Sequence, residues 1–275
     1  MPRALRNLSF SLLTAALLLG GAELILRALG LPNPGIYAGD PFGLWWLRSS
    51  LPPTEVAFVE GGRSFSVRTS AAGYRGPEPT PGAVLCLGDS TTFGWGVAED
   101  DAWPAALSRR LGRPVTNGGV PGYSTHQGLA RLEQALDTRP AVVILAYLVR
   151  DVERSGAADH ARPAPLDLRL MRLMRRAQGP AGPPSGGDFR VPPHRYRDNL
   201  RALIDGVRAA GASPMLLAFP MVEPAPEHLA ALEELGADVP FLAPSLDRSA
   251  FFAEDPIHLS PSGHRALAER VAELF

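Results

Sequence analysis

Val84-Leu85-Cys86-Leu87-Gly88-Asp89-Ser90 is an apolar, strand-like run that breaks at a glycine and presents a serine. Close to the C-terminus, Asp255-Pro256-Ile257-His258 places an aspartate and a histidine three residues apart, just ahead of the last helical stretch. A serine hydroxyl is a poor nucleophile at neutral pH. It needs a base, and the base needs a third group to orient it. Ser90, His258 and Asp255 supply the three side-chain types at places that a fold can bring together, and they point to acyl transfer.

Outward from that strand, the pattern alternates. A strand over 83–87 is followed by a helix from about Asp100, with Trp103, Leu107 and Leu111 spaced for one face. A strand over 114–116 leads to the Asn117-Gly118-Gly119 loop and a helix over about 126–137. Next come a strand over 142–147, a helix over 196–210 stopped by Gly211, and a strand over 214–219. A helix over 227–235, a short strand over 239–242 and a final helix over 261–274 complete the set. Strands alternating with helices predict an α/β fold, a three-layer doubly wound sandwich with a mostly parallel sheet. Ser90, Gly119 and Arg150-Asp151 each fall just past the carboxyl end of a strand, the edge where such sheets bind ligands. Ser260-Pro261 reads as the N-cap and first turn of the last helix, fixing a loop that carries His258.

The chain has 275 residues and 45% hydrophobic content, ample for a buried sheet. A formal net charge of −1 argues against a nucleic-acid partner, which calls for a basic excess. The single cysteine, Cys86, sits inside the apolar strand and reads as a core residue. Arg3 and Arg6 precede an apolar run from Leu8 to about Leu29, broken only by Glu23 and Arg27 near its far end. No A-x-A cleavage site is evident, so the flanks favour an uncleaved signal anchor over a cleaved signal peptide. Residues 1–30 are therefore expected to be a transmembrane helix that binds the membrane and leaves the rest of the chain outside the cytoplasm. Residues 31–82 read as a proline-rich tether with a small β-hairpin around Gly61-Gly62. Residues 83–275 read as the functional domain.

Gly88-Asp89-Ser90 with Thr91-Thr92-Phe93-Gly94-Trp95-Gly96-Val97 resembles the first block of the SGNH, or GDSL, hydrolases. Asn117-Gly118-Gly119-Val120-Pro121-Gly122-Tyr123 resembles the second block, and Asp255 to His258 the last, Asp-x-x-His. The resemblance runs from about Val67 to the C-terminus. It implies the SGNH sandwich, related to flavodoxin-like sheets, and a serine esterase with Ser90 as nucleophile, His258 as base and Asp255 as its orienter. It also implies an oxyanion hole from the amides of Ser90 and Gly119. The third block departs from the family. Gly-x-Asn-Asp is the pattern, and here Leu148-Val149-Arg150-Asp151 sets Arg150 where the asparagine donor belongs.

Arg150 has three readings: a cationic oxyanion donor, a partner for Asp151, or a selector of an anionic substrate group. Pairing with Asp151 ranks first, because all 27 basic residues are arginines and one more at a given place carries little weight. Asp89 reads as a loop-stabilising acceptor. His126, His160, His194, His228 and His264 show no metal-ligand spacing and read as surface or satisfied residues, so neither metal nor cofactor is expected. Within an insert over 152–193, Leu166, Leu170, Leu173 and Ala177 recur at helical spacing among Arg169, Arg172, Arg175 and Arg176. That helix either lies on a membrane surface or caps the rim of the site. Gly179-Pro180 through Gly186-Gly187 reads as a loop. The expected substrates are O-acyl esters, O-acetyl among them, of glycans or lipids outside the cytoplasm. An O-acyltransferase and a non-catalytic glycan binder, its oxyanion site disabled by Arg150, are the alternatives.

Overall fold

Short runs of Val, Leu and Ile bounded by Gly, Pro or Arg leave no room for an amphipathic helix and form the central strands. The computed structural model describes residues 3–31, 35–39, 45–58, 61–155, 158–161, 168–177, 187–221 and 225–275. They fall into two compact units, 46–162 with 183–275 and 1–45 with 163–182. Within the stretch 152–193, residues 163–182 belong to the smaller unit and the rest to the larger. Leu166 and the stretch 179–186 lie outside the described residues.

In the larger unit, β1 (Thr54–Phe58) and β2 (Arg63–Val67) form the expected antiparallel hairpin. The central sheet holds β3 (Val84–Gly88), β4 (Val115–Gly119), β5 (Val142–Ala146), β8 (Ser213–Leu217) and β9 (Phe241–Leu242), while β6 (Arg154–Ser155) and β7 (Asp188–Phe189) pair apart from it and α8 (Pro226–Leu235) precedes β9. Its order is β9-β8-β5-β3-β4 and every pairing is parallel, as expected. Period-two alternation gives the sheet two buried faces. Val84, Cys86, Ile144 and Leu217 pack with Trp103, Leu107, Leu267 and Val271, from α3 (Trp103–Leu111) and α9 (Pro261–Ala272). The intervening residues Leu85, Leu87, Val143 and Leu145 are also buried, and α4 (Thr125–Ala130) and α7 (Pro193–Ala209) contact the sheet as well. Cys86 is fully buried and burial pushes its thiol well up, so it is a core residue.

Chain order reverses across β3: β4 lies on one side and β5 on the other. A crevice forms at the carboxyl end of such a strand, and Ser90 stands there as the first residue of α2 (Ser90–Phe93). Asp89 caps this helix, its Oδ1 accepting from the Thr91 N–H at 2.8 Å and the Thr91 hydroxyl at 2.7 Å.

Four local expectations are revised. β4 runs on through Asn117-Gly118-Gly119, because all three pair with β3, so these residues are strand and not loop. The helix after it breaks at Arg131 (φ −111, ψ 3) into α4 and α5 (Leu132–Leu136). The helix from Asp100 is a 3-10 turn over Glu99–Asp101 followed by α3. His258 sits in β11 (Asp255–Leu259), paired antiparallel with β10 (Phe251–Phe252), so a hairpin and not a loop carries it. Ser260 caps α9 as expected, accepting from the Gly263 N–H at 3.3 Å.

His264 and His228 are buried and hydrogen-bonded. The Trp103 N–H at the start of α3 donates to His264 Nδ1 at 3.2 Å, where Ala102 offers no capping side chain. Burial first, then the charges of Arg75 and His258, push His264 down to about 3, so it serves as a neutral acceptor tying α9 to α3.

In the smaller unit, α1 (Arg3–Ala28) contains a 20-residue apolar stretch, Ser9–Ala28, none of it buried. At 1.5 Å per residue, it is about 30 Å long, which matches a bilayer core. The same unit holds α6 (Arg169–Ala177).

Candidate active site

β3 and β11 converge on one hydrogen-bonded relay. Ser90 Oγ lies 2.9 Å from His258 Nε2, and His258 Nδ1 lies 2.5 Å from Asp255 Oδ2. Asp255 Oδ1 accepts the N–H groups of Ile257 at 2.8 Å and His258 at 3.2 Å, an Asx-type turn that locks the carboxylate onto the strand carrying the histidine. Burial disfavours the Asp255 charge, but the His258 hydrogen bond and charge and these two N–H groups outweigh it and hold the carboxyl below its usual range. An ionised Asp255 keeps the imidazole proton on Nδ1 and the Nε2 lone pair turned to the serine hydroxyl.

Asn117 and Arg75 hold the helix that begins at Ser90. Asn117 Nδ2 donates to the Phe93 carbonyl at 3.1 Å, at the end of α2. Arg75, 1% exposed, donates to the carbonyls of Phe93 at 2.5 Å, Gly94 at 2.7 Å and Val97 at 2.7 Å, with its guanidinium 4.4 Å above the Phe93 ring. Burial pushes Arg75 down to about 10, against the pull of Glu99. A cation against the carbonyl end of a helix is favourable. Neither residue was legible as a site residue: the turn-rich stretch around Arg75 carries no sign that its side chain is buried.

Gly119 lies where expected but is not available as a donor. Its N–H is used by Asn117 Oδ1 at 3.0 Å. Its lack of a side chain serves packing instead: a Cβ there would lie 2.2 Å from the Phe93 nitrogen and 2.7 Å from the Thr92 carbonyl carbon. Gly122, in the loop after β4 at φ +88, makes no hydrogen bond through its N–H among the described residues, and neither does Ser90. The Gly122 carbonyl accepts from Arg190 Nη2 at 2.9 Å. Arg190 also grips Asp159 bidentately, at 3.1 and 2.9 Å, and Asp159 Oδ2 accepts from the Ser124 hydroxyl at 2.8 Å and Gln127 Nε2 at 3.1 Å. Burial opposes the Asp159 charge, but Arg190 wins and holds its carboxyl low. This buried pair fixes the loop at Gly122 and the start of α4 to the segment after β5.

Arg150 does not pair with Asp151. Its guanidinium meets Glu153 at 3.2 Å, the one partner it has among the described residues. Asp151 turns inward, fully buried, where Oδ1 accepts the Thr125 N–H at 2.9 Å and the Thr125 hydroxyl at 2.5 Å. Burial pushes Asp151 up to about 7; Asp89 adds to the rise, while Thr125 and Arg190 pull the other way. The folded state therefore holds a proton that the unfolded chain releases near the ordinary aspartate pKa. Unfolding free energy should fall as pH rises from about 4 to about 7. Asp151→Asn should lose that decline, so its urea midpoint gains on the parent's as pH rises through this window. Parallel profiles would contradict it.

Residues 86–266 match the profile of the GDSL-like lipase/acylhydrolase family. An arylesterase of Vibrio mimicus is 32% identical over 126 residues, 42% of this chain and 60% of that relative, so the match spans less than two thirds of its length. A G-D-S-L family protein from Desulfitobacterium hafniense DCB-2 superposes with TM-score 0.51 at 15% identity, covering 70% of this chain and 99% of that one. TesA superposes with TM-score 0.51 at 20% identity, covering 70% and 97%. These structural likenesses speak to the fold.

Proposed function

The chain belongs to the GDSL-like lipase/acylhydrolase family, and on that premise we propose that it is a carboxylic ester hydrolase whose nucleophile is Ser90. The observation that carries the proposal is the unbroken relay from Ser90 Oγ through His258 to Asp255, at 2.9 and 2.5 Å. His258 Nε2 takes the hydroxyl proton as Oγ attacks the ester carbonyl. Asp255 stabilises the imidazolium, which then protonates the departing alcohol. Water, activated by the same histidine, releases the acyl group from Ser90.

The tetrahedral intermediate needs donors aimed at its oxyanion. The free N–H groups of Ser90 and Gly122 fill that role, and the Arg190–Asp159 pair holds Gly122 in place. Gly119 is replaced in this role because its N–H is already bonded. Arg150, paired with Glu153, is a loop residue. At the carboxyl ends of β5, β8 and β9 the same sheet edge carries a groove lined by Leu148, Phe219, Met221, Leu229 and Leu246, and we place the acyl part of the substrate there. The apolar α1, led by Arg3 and Arg6, supports an anchor whose start is cytoplasmic, with the hydrolase outside acting on O-acyl esters of glycans or lipids.

The test is turnover of p-nitrophenyl acetate and butyrate by the full chain in detergent. Release of nitrophenolate well above that of a Ser90→Ala sample is the expected result. Equal rates from two folded samples would remove the hydrolase and favour a non-catalytic binder.

A further inference from the structure

Glu23 lies inside the apolar stretch of α1, where a carboxylate is costly unless satisfied. Its partners come from an element far away in sequence. Glu23 Oε1 accepts the Arg169 N–H and Oε2 the Leu170 N–H, both at 3.1 Å, and Arg27 Nε donates to Oε1 at 2.8 Å. The carboxylate thus caps the N-terminus of α6, where two otherwise unpaired N–H groups and the helix dipole favour negative charge. Arg169 Nη1 also reaches the Leu31 carbonyl at 3.4 Å.

The remainder of α6 is unlike an ordinary surface helix. Its sequence, RLMRLMRRA, alternates arginines with leucine and methionine and contains no acidic residue. Met171, Leu173 and Met174 are 41%, 43% and 54% exposed, and Leu168 just ahead of it is 36% exposed. Apolar side chains left in contact with solvent beside a cationic series need an apolar phase bordered by anions. The contact with α1 places one within reach. Glu23 is five residues before the end of α1, so the start of α6 sits about 7 Å below that end. Helices lying in a membrane interface bury their apolar face about 5–10 Å into the headgroup and acyl boundary.

From the Glu23 cap, the exposed apolar side chains and the run of arginines, the structure assigns α6 as a second membrane element. It lies in the bilayer interface beside α1, with Met171, Leu173 and Met174 among the acyl chains and the positive charge of its sequence drawing it to anionic headgroups. The assignment rests on α1 residing in a bilayer. It commits α6 to an anionic lipid surface rather than to a protein partner.

The experiment uses the full chain in vesicles of phosphatidylcholine and phosphatidylglycerol. The environment-sensitive fluorophore NBD is attached to Leu17→Cys on α1 or Met174→Cys on α6, under native conditions in which buried Cys86 stays unlabelled. Lipids brominated in the acyl chain should quench both probes by about twofold or more, and aqueous iodide should reach neither. Glu23→Ala should roughly halve the lipid quenching at 174 and leave 17 unchanged. If 17 is quenched by lipid while 174 is open to iodide, the anchor stands and the assignment of α6 is wrong, whatever protein might cover it. If lipid quenches neither probe, the anchor itself fails. Quenching at 174 that ignores Glu23→Ala would overturn the capped attachment to α1.

Discussion

Asp255→Asn should leave the protein folded and reduce kcat for ester hydrolysis by about 10⁴-fold, with KM little changed. The asparagine Oδ1 can keep both backbone N–H bonds, from Ile257 and His258, so the turn survives. What changes is the imidazole. An amide Nδ2 in place of the carboxylate oxygen 2.5 Å from His258 Nδ1 donates rather than accepts, and drives the ring proton to Nε2. Ser90 Oγ, 2.9 Å away, then faces a donor and has no base. His258→Ala removes the base outright and should cost at least as much, to about 10⁶-fold, whereas losing both groups should cost little more than losing His258 alone, because they act as a unit. Losses that multiplied independently would mean that the three side chains do not share one proton path.

Gly119→Ala should be the most damaging single-methyl change in the site. Were Gly119 only a backbone donor, alanine would keep its N–H and be tolerated. Instead the added Cβ meets the main chain of Thr92 and Phe93 at 2.2–2.7 Å, and backbone cannot yield as a flexible side chain does. Relief requires α2 to move away from β4, which breaks the Asn117 bond to the Phe93 carbonyl and displaces Ser90 from His258. Overpacking of this kind costs about 3 kcal/mol. In a domain of this size that is a fall in Tm of roughly 6–12 °C, measurable by calorimetry. kcat should fall with it. A normal Tm with normal kcat would contradict the packing role of Gly119.

Sequence legibility divided along one line. Residues whose role is set by their own neighbours were readable. The strand through Gly88 ends where the apolar run ends; Asp89 caps the helix it precedes; Asp255 and His258 are fixed to each other by a turn of three residues. The parallel sheet followed from strands separated by helices, and its order carried Ser90 to the switch point. Residues whose role depends on a distant partner were not readable. Arg75 looks like a turn arginine until the hairpin and α2 close over it, and Arg190 and Asp159 are one charge each until the segments that carry them meet across Gly122. Arg150 was read with its sequence neighbour Asp151, but Asp151 is drawn inward by Thr125, leaving Glu153, three residues on, as the reachable anion. The Gly119 donor was lost to a single side chain turning back on its own strand.

The central claim is that the relay makes Ser90 a nucleophile. It is tested most directly by incubating the full chain with a fluorophosphonate and locating the adduct by mass spectrometry of peptides. The claim predicts one phosphonyl group per chain, on the peptide containing Ser90, lost in Ser90→Ala and strongly slowed in His258→Ala. A folded chain that remains unlabelled, or that labels equally without Ser90, would contradict it.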